Sequence, residues 1–316
     1  LESTGASLVH LQYELFMFGS RLKGARQVPT LLRNVRRMSG LPVATTMHGV
    51  LPRGPLDREF TSAYASGVPW WAIRRIYESI TRSVIEKSDL VIAHGWSILA
   101  SVHTYAQPSL SIVVPHGIES PMTLPDRGAA LRKFGLADVP RAVFFGYQLP
   151  YKGIETLEAA APLLSDYGIE VLVAGGSARD ADPKASSRHR PSQDQVTRRL
   201  AFIEEEDIPN LFAIADVLVL PYRVGMATSG PLASAATYGT PVVISNVASL
   251  AETLGYPLAT FPVGDSVALA ETVVRVLKDD HVRAGLRARL ADLALASSWA
   301  SVVDRTVDAY LNIARA

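Results

Sequence analysis

The sequence predicts an α/β protein built from two doubly wound parallel sheets, and three observations lead to this prediction. Short apolar runs rich in Val, Ile and Leu alternate with longer helical segments along the chain. Most of these runs are continuous rather than alternating, which is typical of strands that helices cover on both faces. The chain has 316 residues, and this length corresponds to about two ordinary domains.

The patterns predict eight strands and six helices, each bounded by polar residues, Gly or Pro. The predicted strands are 7–12, 42–48, 89–94, 111–116, 142–147, 170–176, 216–222 and 241–246. The predicted helices are 28–38, 70–87, 154–167, 208–214, 230–238 and 266–279. Residues 117–140 are rich in Pro and Gly and show no strand signal, which favours a break between domains.

These elements divide the chain into four predicted parts. They are a first Rossmann-like domain at 1–122, a linker at 123–140, a second Rossmann-like domain at 141–296 and a last helix at 297–316. The first domain has only four predicted strands and begins without a Gly-rich turn. Either it is small or the sequence begins inside it, and we favour the second interpretation.

Composition excludes several classes of protein. With 31 basic and 30 acidic residues the net charge is +1, so no overall field attracts nucleic acid. The absence of cysteine excludes disulfides, zinc–thiolate sites and a thiol nucleophile. No apolar run reaches the roughly 18 residues of a membrane span, and the first residues do not resemble a signal peptide. We therefore expect a cytoplasmic protein.

Two segments carry the chemistry of a candidate anion site. Gly146 ends a strand, and Lys152 follows shortly before a helix, where free N–H groups and the helix dipole favour phosphate. Thr228, Ser229 and Gly230 precede another helix, with Pro in its first turn. For the first segment, the alternative is a solvated lysine beside a turn glycine. For the second segment, the alternative is an ordinary helix cap.

The order of several segments is similar to the C-terminal half of family 4 glycosyltransferases. The segments are VVPHGI, FGYQLPYKGIETL, VLVAGG, FIEEEDIPNLFAIADVLVLPY and SGPLASAATYGTPVVIS. VATTMHGVLP (43–52) and HLQYELFMFG (10–19) resemble parts of the first domain of that family. The resemblance implies a GT-B fold, with two Rossmann-like domains facing a cleft and the last helix crossing back to the first domain. It also implies a retaining, metal-independent enzyme with a nucleotide-sugar donor.

The resemblance assigns roles on the donor side. Lys152 corresponds to the lysine that binds the donor phosphates, and Gly146 to the glycine before them. Tyr147 occupies the position of the family's usual arginine. Phe202 and Ile203 fall where the family's backbone contacts the nucleotide base.

The family's two glutamates are replaced. Met226 and Ser234 occupy their positions, so the ribose and the sugar ring each lose a carboxylate partner. A subgroup with Ser-Gly at this turn is similar to the present Ser229-Gly230. The replacement motivates a non-catalytic protein of the same fold as an alternative.

The resemblance also assigns residues of the first domain. His48 corresponds to the histidine that contacts the donor sugar, which makes His48 and Lys152 the candidate catalytic residues. Glu14 and Gln12 are candidates for the acceptor side, where Glu14 would bond His48 or an acceptor hydroxyl, or be an ordinary loop carboxylate. His94 and His116 end neighbouring strand runs, and a structural role is favoured for both.

No metal or cofactor is expected. Asp180-Ala181-Asp182 resembles a metal-binding acidic pair, but such pairs are common by chance. The histidines lack zinc-site spacing, and no GxGxxG, GxxxxGK or GxSxG motif occurs.

A basic segment suggests a further partner. Residues 20–40 contain six basic residues, and an apolar face at helical spacing accompanies them. Such a helix either lies weakly on an anionic membrane surface, here the inner membrane, or packs its apolar face on its own domain; the second interpretation is favoured.

Together these features predict a hexosyltransferase that uses a UDP- or GDP-sugar and a hydroxyl acceptor in a glycan, glycolipid or small molecule. One alternative is a non-catalytic GT-B scaffold that binds a nucleotide or a protein. Another is a sugar-nucleotide epimerase or hydrolase. Donor hydrolysis with a panel of nucleotide sugars would distinguish the three.

Overall fold

The computed structural model describes residues 5–14, 25–54, 69–176, 197–200 and 202–314. They form two compact units, each with its own parallel sheet. The first unit comprises residues 1–117, 225–228 and 299–316, and the second comprises residues 118–224 and 229–298. The prediction of two parallel-sheet α/β domains is confirmed.

The described part of the chain contains ten strands and eleven α-helices. The strands are β1 (Val9–Tyr13), β2 (Val43–Met47), β3 (Leu90–Ala93), β4 (Ser111–Val113), β5 (Arg141–Phe145), β6 (Glu170–Ala174), β7 (Thr197–Leu200), β8 (Val217–Leu220), β9 (Val242–Ser245) and β10 (Thr260–Phe261). The helices are α1 (Val28–Ser39), α2 (Trp70–Glu86), α3 (Trp96–Tyr105), α4 (Arg127–Phe134), α5 (Ile154–Ser165), α6 (Ile208–Ile214), α7 (Gly230–Tyr238), α8 (Ala248–Leu254), α9 (Ser266–Lys278), α10 (Asp280–Ala296) and α11 (Trp299–Ala314).

The first unit is built on a sheet of order β1-β2-β3-β4 with all strands parallel. Every residue of β2 and β3 is buried, as expected of continuous apolar runs in a covered sheet. Because the strands run in one direction, their carboxyl ends meet at one edge. The residues that follow β2, β3 and β4 are therefore brought together there.

Helix α11 supplies part of the core of the first unit. Val302 and Ala309 are buried in a cluster with Ala44, Leu90 and Ile92 from β2 and β3. Tyr310, one residue further along, donates to or accepts from His10 of β1 at 2.5 Å. The prediction that the last helix returns to the first domain is confirmed.

The second unit is built on a six-stranded parallel sheet of order β10-β9-β8-β5-β6-β7. Strands β5, β8 and β9 are central and nearly completely buried, and helices α5, α7 and α9 contribute to the same apolar core. The carboxyl ends of β5, β8 and β9 lie at one edge, next to residues 146, 221 and 246. This is the edge where ligands bind in open α/β sheets.

The structure corrects the predicted linker over residues 123–140. Helix α4 lies inside it, capped by Asp126, whose carboxylate accepts the Ala129 N–H at 2.8 Å. Ala130 and Leu131 are buried against the second sheet. The helix was not predicted because the Pro and Gly residues around it are typical of a linker. Helices α3, α8 and α10 and the short strands β7 and β10 were also not predicted, whereas the predicted elements are present with shifts at their ends.

Candidate functional site

Lys152 lies in a tight turn at the carboxyl end of β5. A 3-10 turn over 150–152 and Gly153 join the strand to α5. Gly146 has a φ of 127°, and a Cβ at this position would lie 2.9 Å from the Lys152 ammonium. Glycine therefore leaves the space in which the ammonium sits.

Aromatic rings, rather than acids, surround the Lys152 ammonium. Its Nζ lies 5.5 Å from the ring centre of Tyr222 and 6.0 Å from those of Phe144 and Tyr151. The side chain is only 8% exposed. Burial lowers the pKa of Lys152 to about 8, and no acidic side chain of the described residues opposes that effect. A buried cation without a counter-charge is a candidate anion-binding group.

The first turn of α7 lies beside this lysine. Pro231 Cγ would be 3.7 Å from a Cβ on Gly146, next to the same ammonium. Ser229 caps the helix by accepting the Leu232 N–H at 3.3 Å, as its sequence position predicted. Its hydroxyl is also within 3.1 Å of the Tyr222 hydroxyl. The Ser229 hydroxyl therefore has partners of its own, so the helix dipole and the remaining backbone N–H groups are the anion-binding features of this turn.

The other predicted donor residues of the second unit occupy different environments. Tyr147 and Phe202 are exposed, at 58% and 52%. Ile203 is buried in a cluster with residues of β5 and β6, and Ser234 is half-buried on α7. Tyr147 thus presents a neutral side chain where the resemblance expects an arginine.

Four histidines gather in the first unit. His48 follows β2, His94 follows β3 and His116 follows β4, while His10 lies on β1. The ring centres of His48 and His94 are 5.0 Å apart, and those of His94 and His116 are 5.4 Å apart. Parallel strands explain this grouping, because they bring their carboxyl ends to one edge. The sequence favours a structural role for His94 and His116, and their shared position at the ends of successive strands is the signal that reveals their association with His48.

Gln12, rather than Glu14, contacts His48. The Gln12 Oε1 lies 2.6 Å from His48 Nε2. Burial raises the pKa of the half-buried Glu14 carboxyl above its usual value. Of the two residues predicted for the acceptor side, the structure therefore joins Gln12 to the histidine cluster.

The loop over 225–228 belongs to the first unit, which includes Thr228. Gly49 and Ala227 form an antiparallel bridge, and the Val50 N–H donates to the Met226 carbonyl at 2.7 Å. The Met226 side chain is 8% exposed. The position where the resemblance expects a carboxylate is therefore a buried thioether whose backbone is fixed by hydrogen bonding.

The sequence contains one candidate metal-binding pair, Asp180 and Asp182. No group of three or more metal-ligating side chains occurs among the residues that the structure describes. Asp180 and Asp182 lie outside those residues.

Comparisons with known proteins show which family the chain resembles. Residues 139–279 match the family described as Glycosyl transferases group 1. The chain is 29% identical over 184 residues to O-antigen chain mannosyltransferase B of Escherichia coli, covering 57% of this chain and 48% of that protein. It is 28% identical over 182 residues to phosphatidyl-myo-inositol mannosyltransferase of Mycolicibacterium smegmatis, covering 55% and 45%. The chain thus spans about half the length of the curated relatives it matches.

Solved structures show the same fold along most of the chain. Sucrose-phosphate synthase from Thermosynechococcus elongatus has a TM-score of 0.71 at 20% identity, covering 98% of this chain and 74% of that one. HepE from Anabaena in complex with UDP and glucose has a TM-score of 0.69 at 16% identity, covering 92% and 76%. The chain therefore has the GT-B fold, and the matches support a glycosyltransferase.

Proposed function

We propose that this chain transfers a hexosyl group from a UDP- or GDP-sugar to an acceptor hydroxyl, with retention at the anomeric carbon. The observation that carries the proposal is the environment of Lys152. Its ammonium is buried among aromatic rings, beside the first turn of α7. Burial of a cation is unfavourable without a counter-charge, and a diphosphate supplies one. The mannosyltransferase relatives and the UDP bound to HepE support the same chemical class.

In this proposal the protein stabilises the departing diphosphate. The bond between the anomeric carbon and the diphosphate oxygen breaks, and negative charge develops on that oxygen. Lys152 and the N–H groups at the start of α7 stabilise this charge. The acceptor oxygen bonds to the same face of the sugar, and its proton passes to the departing phosphate oxygen. No side-chain nucleophile and no metal takes part, because the lysine and the helix carry the charge.

Recognition of the sugar falls to neutral groups. Met226 and Ser234 offer no carboxylate at the two positions where the resemblance expects one. We assign contact with the donor sugar to His48, and a supporting contact to Gln12, which is 2.6 Å from it. The hydroxyls of a neutral hexose suit imidazole and amide partners.

Calorimetry tests the diphosphate role directly. We expect wild-type protein to bind UDP or GDP and the Lys152→Met variant to bind it at least about tenfold more weakly, as for the loss of a charge-assisted hydrogen bond. Lys278→Met is a matched control, since Lys278 also lies over an aromatic ring, that of Tyr167. Equal affinity in the two variants would contradict the proposal. A panel of nucleotide sugars, with mannose donors first, then identifies the substrate by turnover.

A non-catalytic scaffold is a second candidate. The observation that favours it is the buried Met226, which leaves the loop over 225–228 without a charge. A scaffold would bind the nucleotide through Lys152 but hydrolyse or transfer no sugar. Binding without turnover across the whole panel of donors and acceptors would favour it over the transferase.

Contact with a membrane surface is a further part of the proposal. Leu31 and Met38 of α1 are exposed, at 49% and 78%, while Val28 and Leu32 are buried. Arg33 and other arginines accompany them, so the helix both packs on its own unit and presents basic and apolar groups outward. No helix in the described ranges has the length and apolarity needed to cross a bilayer. Co-sedimentation with anionic vesicles tests the contact, and Met38→Glu is expected to weaken it.

A further inference from the structure

The contacts of the histidine cluster determine where the protons of two imidazole rings lie. His94 Nδ1 is 2.9 Å from the Val114 carbonyl oxygen. A carbonyl only accepts, so His94 Nδ1 carries a proton and donates it. His94 Nε2 lies 3.3 Å from His48 Nδ1. One of these two nitrogens must donate to the other.

The charge state of His94 decides between them. Burial lowers the pKa of His94 to about 4, and His48 and His116 lower it further, against the opposite effect of the Val114 carbonyl. His94 is therefore neutral near pH 7, and with its proton on Nδ1 its Nε2 can only accept. His48 Nδ1 must then carry a proton and donate to His94.

His48 is also neutral near pH 7. Burial lowers the pKa of His48, and nearby His116 lowers it further. The pKa of His10 on β1 is also lowered, by burial and by His48. With one proton fixed on Nδ1, the Nε2 of His48 has a free lone pair. The groups that face it from the neighbouring elements are His10 and Gln12 of β1, His94 after β3 and His116 after β4.

Gln12 fits this proton arrangement once its amide is rotated by 180°. As placed, its Oε1 lies 2.6 Å from His48 Nε2, and its Nε2 lies 3.2 and 3.3 Å from the two ring nitrogens of His10. The two ends of an amide have nearly the same shape, so the hydrogen-bond network decides its orientation. Because His48 Nε2 accepts when Nδ1 carries the proton, we assign the NH2 group of Gln12 to His48 and its oxygen to His10. His10 has its own partners, Tyr310 at 2.5 Å and Thr46 at 2.8 Å. In the free protein, the Gln12 amide thus occupies the position that a hydroxyl of the substrate would take when it donates a hydrogen bond to His48.

We propose that His94 is a positioning residue that holds His48 with its proton on Nδ1, so that His48 Nε2 accepts a hydrogen bond from a substrate hydroxyl. This inference rests on the proposed contact of His48 with the donor sugar. It narrows the chemistry of that contact, because a neutral acceptor suits a hydroxyl and disfavours a phosphate or carboxylate. A carboxylate or a carbonyl often orients a functional histidine. Here a second neutral histidine, His94, determines the orientation and the proton position of the His48 imidazole.

Two variants of His94 separate this role from simple packing. His94→Phe keeps a ring next to His116 but removes the acceptor, whereas His94→Gln keeps an oxygen near the position of Nε2. His103→Phe is the matched control, since His103 lies on α3 and bonds Ser111 instead of His48. Nitrogen-15 NMR at pH 7.5 reports which nitrogen of His48 is protonated.

We expect His48 to be protonated on Nδ1 in the wild type, in His94→Gln and in the control, and to populate both forms in His94→Phe. A wild-type His48 protonated on Nε2, or an unchanged form in His94→Phe, would overturn the proposal. These spectra need no turnover, so they decide the proposal even if the proposed transferase activity fails.

Turnover adds a second readout once a donor is known. We expect His94→Phe to lower kcat/KM by about tenfold, the size of one lost interaction in the transition state, and His94→Gln to restore most of it. Combined with His48→Ala, His94→Phe should cost nothing further, because it acts through His48. Independent, multiplying losses in the double variant would overturn the positioning role.

Discussion

A Cβ on Gly153 would lie 2.1 Å from the carbonyl oxygen of Pro221. The backbone of the residue after Lys152 is thus in direct contact with the chain that leaves β8, and the Arg223 N–H donates to the Tyr151 carbonyl at 2.7 Å beside it. Two neighbouring strand ends are held together at this point. The position of the Lys152 ammonium depends on this close approach.

Replacement of Gly153 tests that dependence. Gly153 and Gly168 both have positive φ, 63° and 71°, but a Cβ on Gly168 would meet no atom within 4 Å. We expect Gly168→Ala to cost about 1 kcal/mol of unfolding free energy, from backbone strain alone, and Gly153→Ala to cost at least about 3 kcal/mol, because the backbone must also shift. Urea unfolding measures both. Equal losses would show that the contact with Pro221 has no effect of its own.

Lys152→Met should stabilise the free protein while it weakens diphosphate binding. Burial lowers the folded-state pKa of Lys152 to about 8, against about 10.5 in the unfolded chain. Stability is therefore lost as pH falls from 10.5 to about 8, and below this range the protein carries a penalty on the order of 1–3 kcal/mol. The variant lacks this penalty, and thermal unfolding at pH 7 should show it.

A diphosphate should reverse the pKa shift of Lys152, since its charge favours the protonated amine. At pH 8 we therefore expect UDP or GDP binding to take up protons. Calorimetry in two buffers of different ionisation enthalpy measures the number taken up. The same uptake in Lys152→Met would mean that another group is responsible.

His48→Ala is expected to lower turnover by at least about tenfold, or roughly 1.4 kcal/mol in the barrier. Nucleotide affinity should stay within a factor of about three, which corresponds to under about 1 kcal/mol, because the proposed contact of His48 is with the sugar and not with the nucleotide. Steady-state kinetics and calorimetry with the same donor separate the two effects. A large loss of UDP or GDP affinity would place His48 near the nucleotide instead.

Acid should destabilise the first unit through its histidines. The pKa of His94 is about 4 in the folded protein and about 6.5 in an unfolded chain. Between these values the unfolded chain binds a proton that the folded protein does not. Stability therefore falls as pH drops from 6.5 to about 4, by on the order of 3 kcal/mol for this group. The unfolding free energy of His94→Gln should vary less over this pH range than that of the wild type, and equal variation in the two proteins would contradict the role of His94.

Met226→Glu should be unfavourable for folding. Met226 is buried and its backbone is bonded to Val50, so a carboxylate there would be desolvated. We expect a loss of about 2 kcal/mol at pH 7 that shrinks at pH 5, where the new carboxyl is protonated. Thr228→Glu, two residues away and half-buried, should cost less. If Met226→Glu folds, donor-sugar preference should change more than nucleotide affinity.

Sequence pattern predicted most of the architecture because buried parallel strands leave a strong local signal. Runs such as those at 89–94 and 216–222 became β3 and β8 with ends shifted by one or two residues. Helix α4 was missed, although Asp126 and Gly135 cap it, because the surrounding Pro and Gly resemble a linker. Local composition does not reveal that a short helix is buried against a sheet.

The candidate site was predictable to a lesser extent. Lys152 and Ser229 follow from local motifs, and the structure places both at one sheet edge. The burial of Met226, the aromatic walls around Lys152 and the contact between His48 and His94 depend on residues far apart in the sequence. Such contacts exist only after strands have paired.

The position of α11 affects how the protein can be made. Its Val302 and Ala309 fill the core against β2 and β3, yet they are translated more than two hundred residues after β3 ends. During synthesis, one apolar face of the first sheet therefore stays uncovered until α11 has been made. The second unit ends at residue 298, before α11 begins, so it can fold earlier. Ribosome-bound chains stalled near residue 290 should bind chaperones through that face, and release should occur only when α11 has emerged.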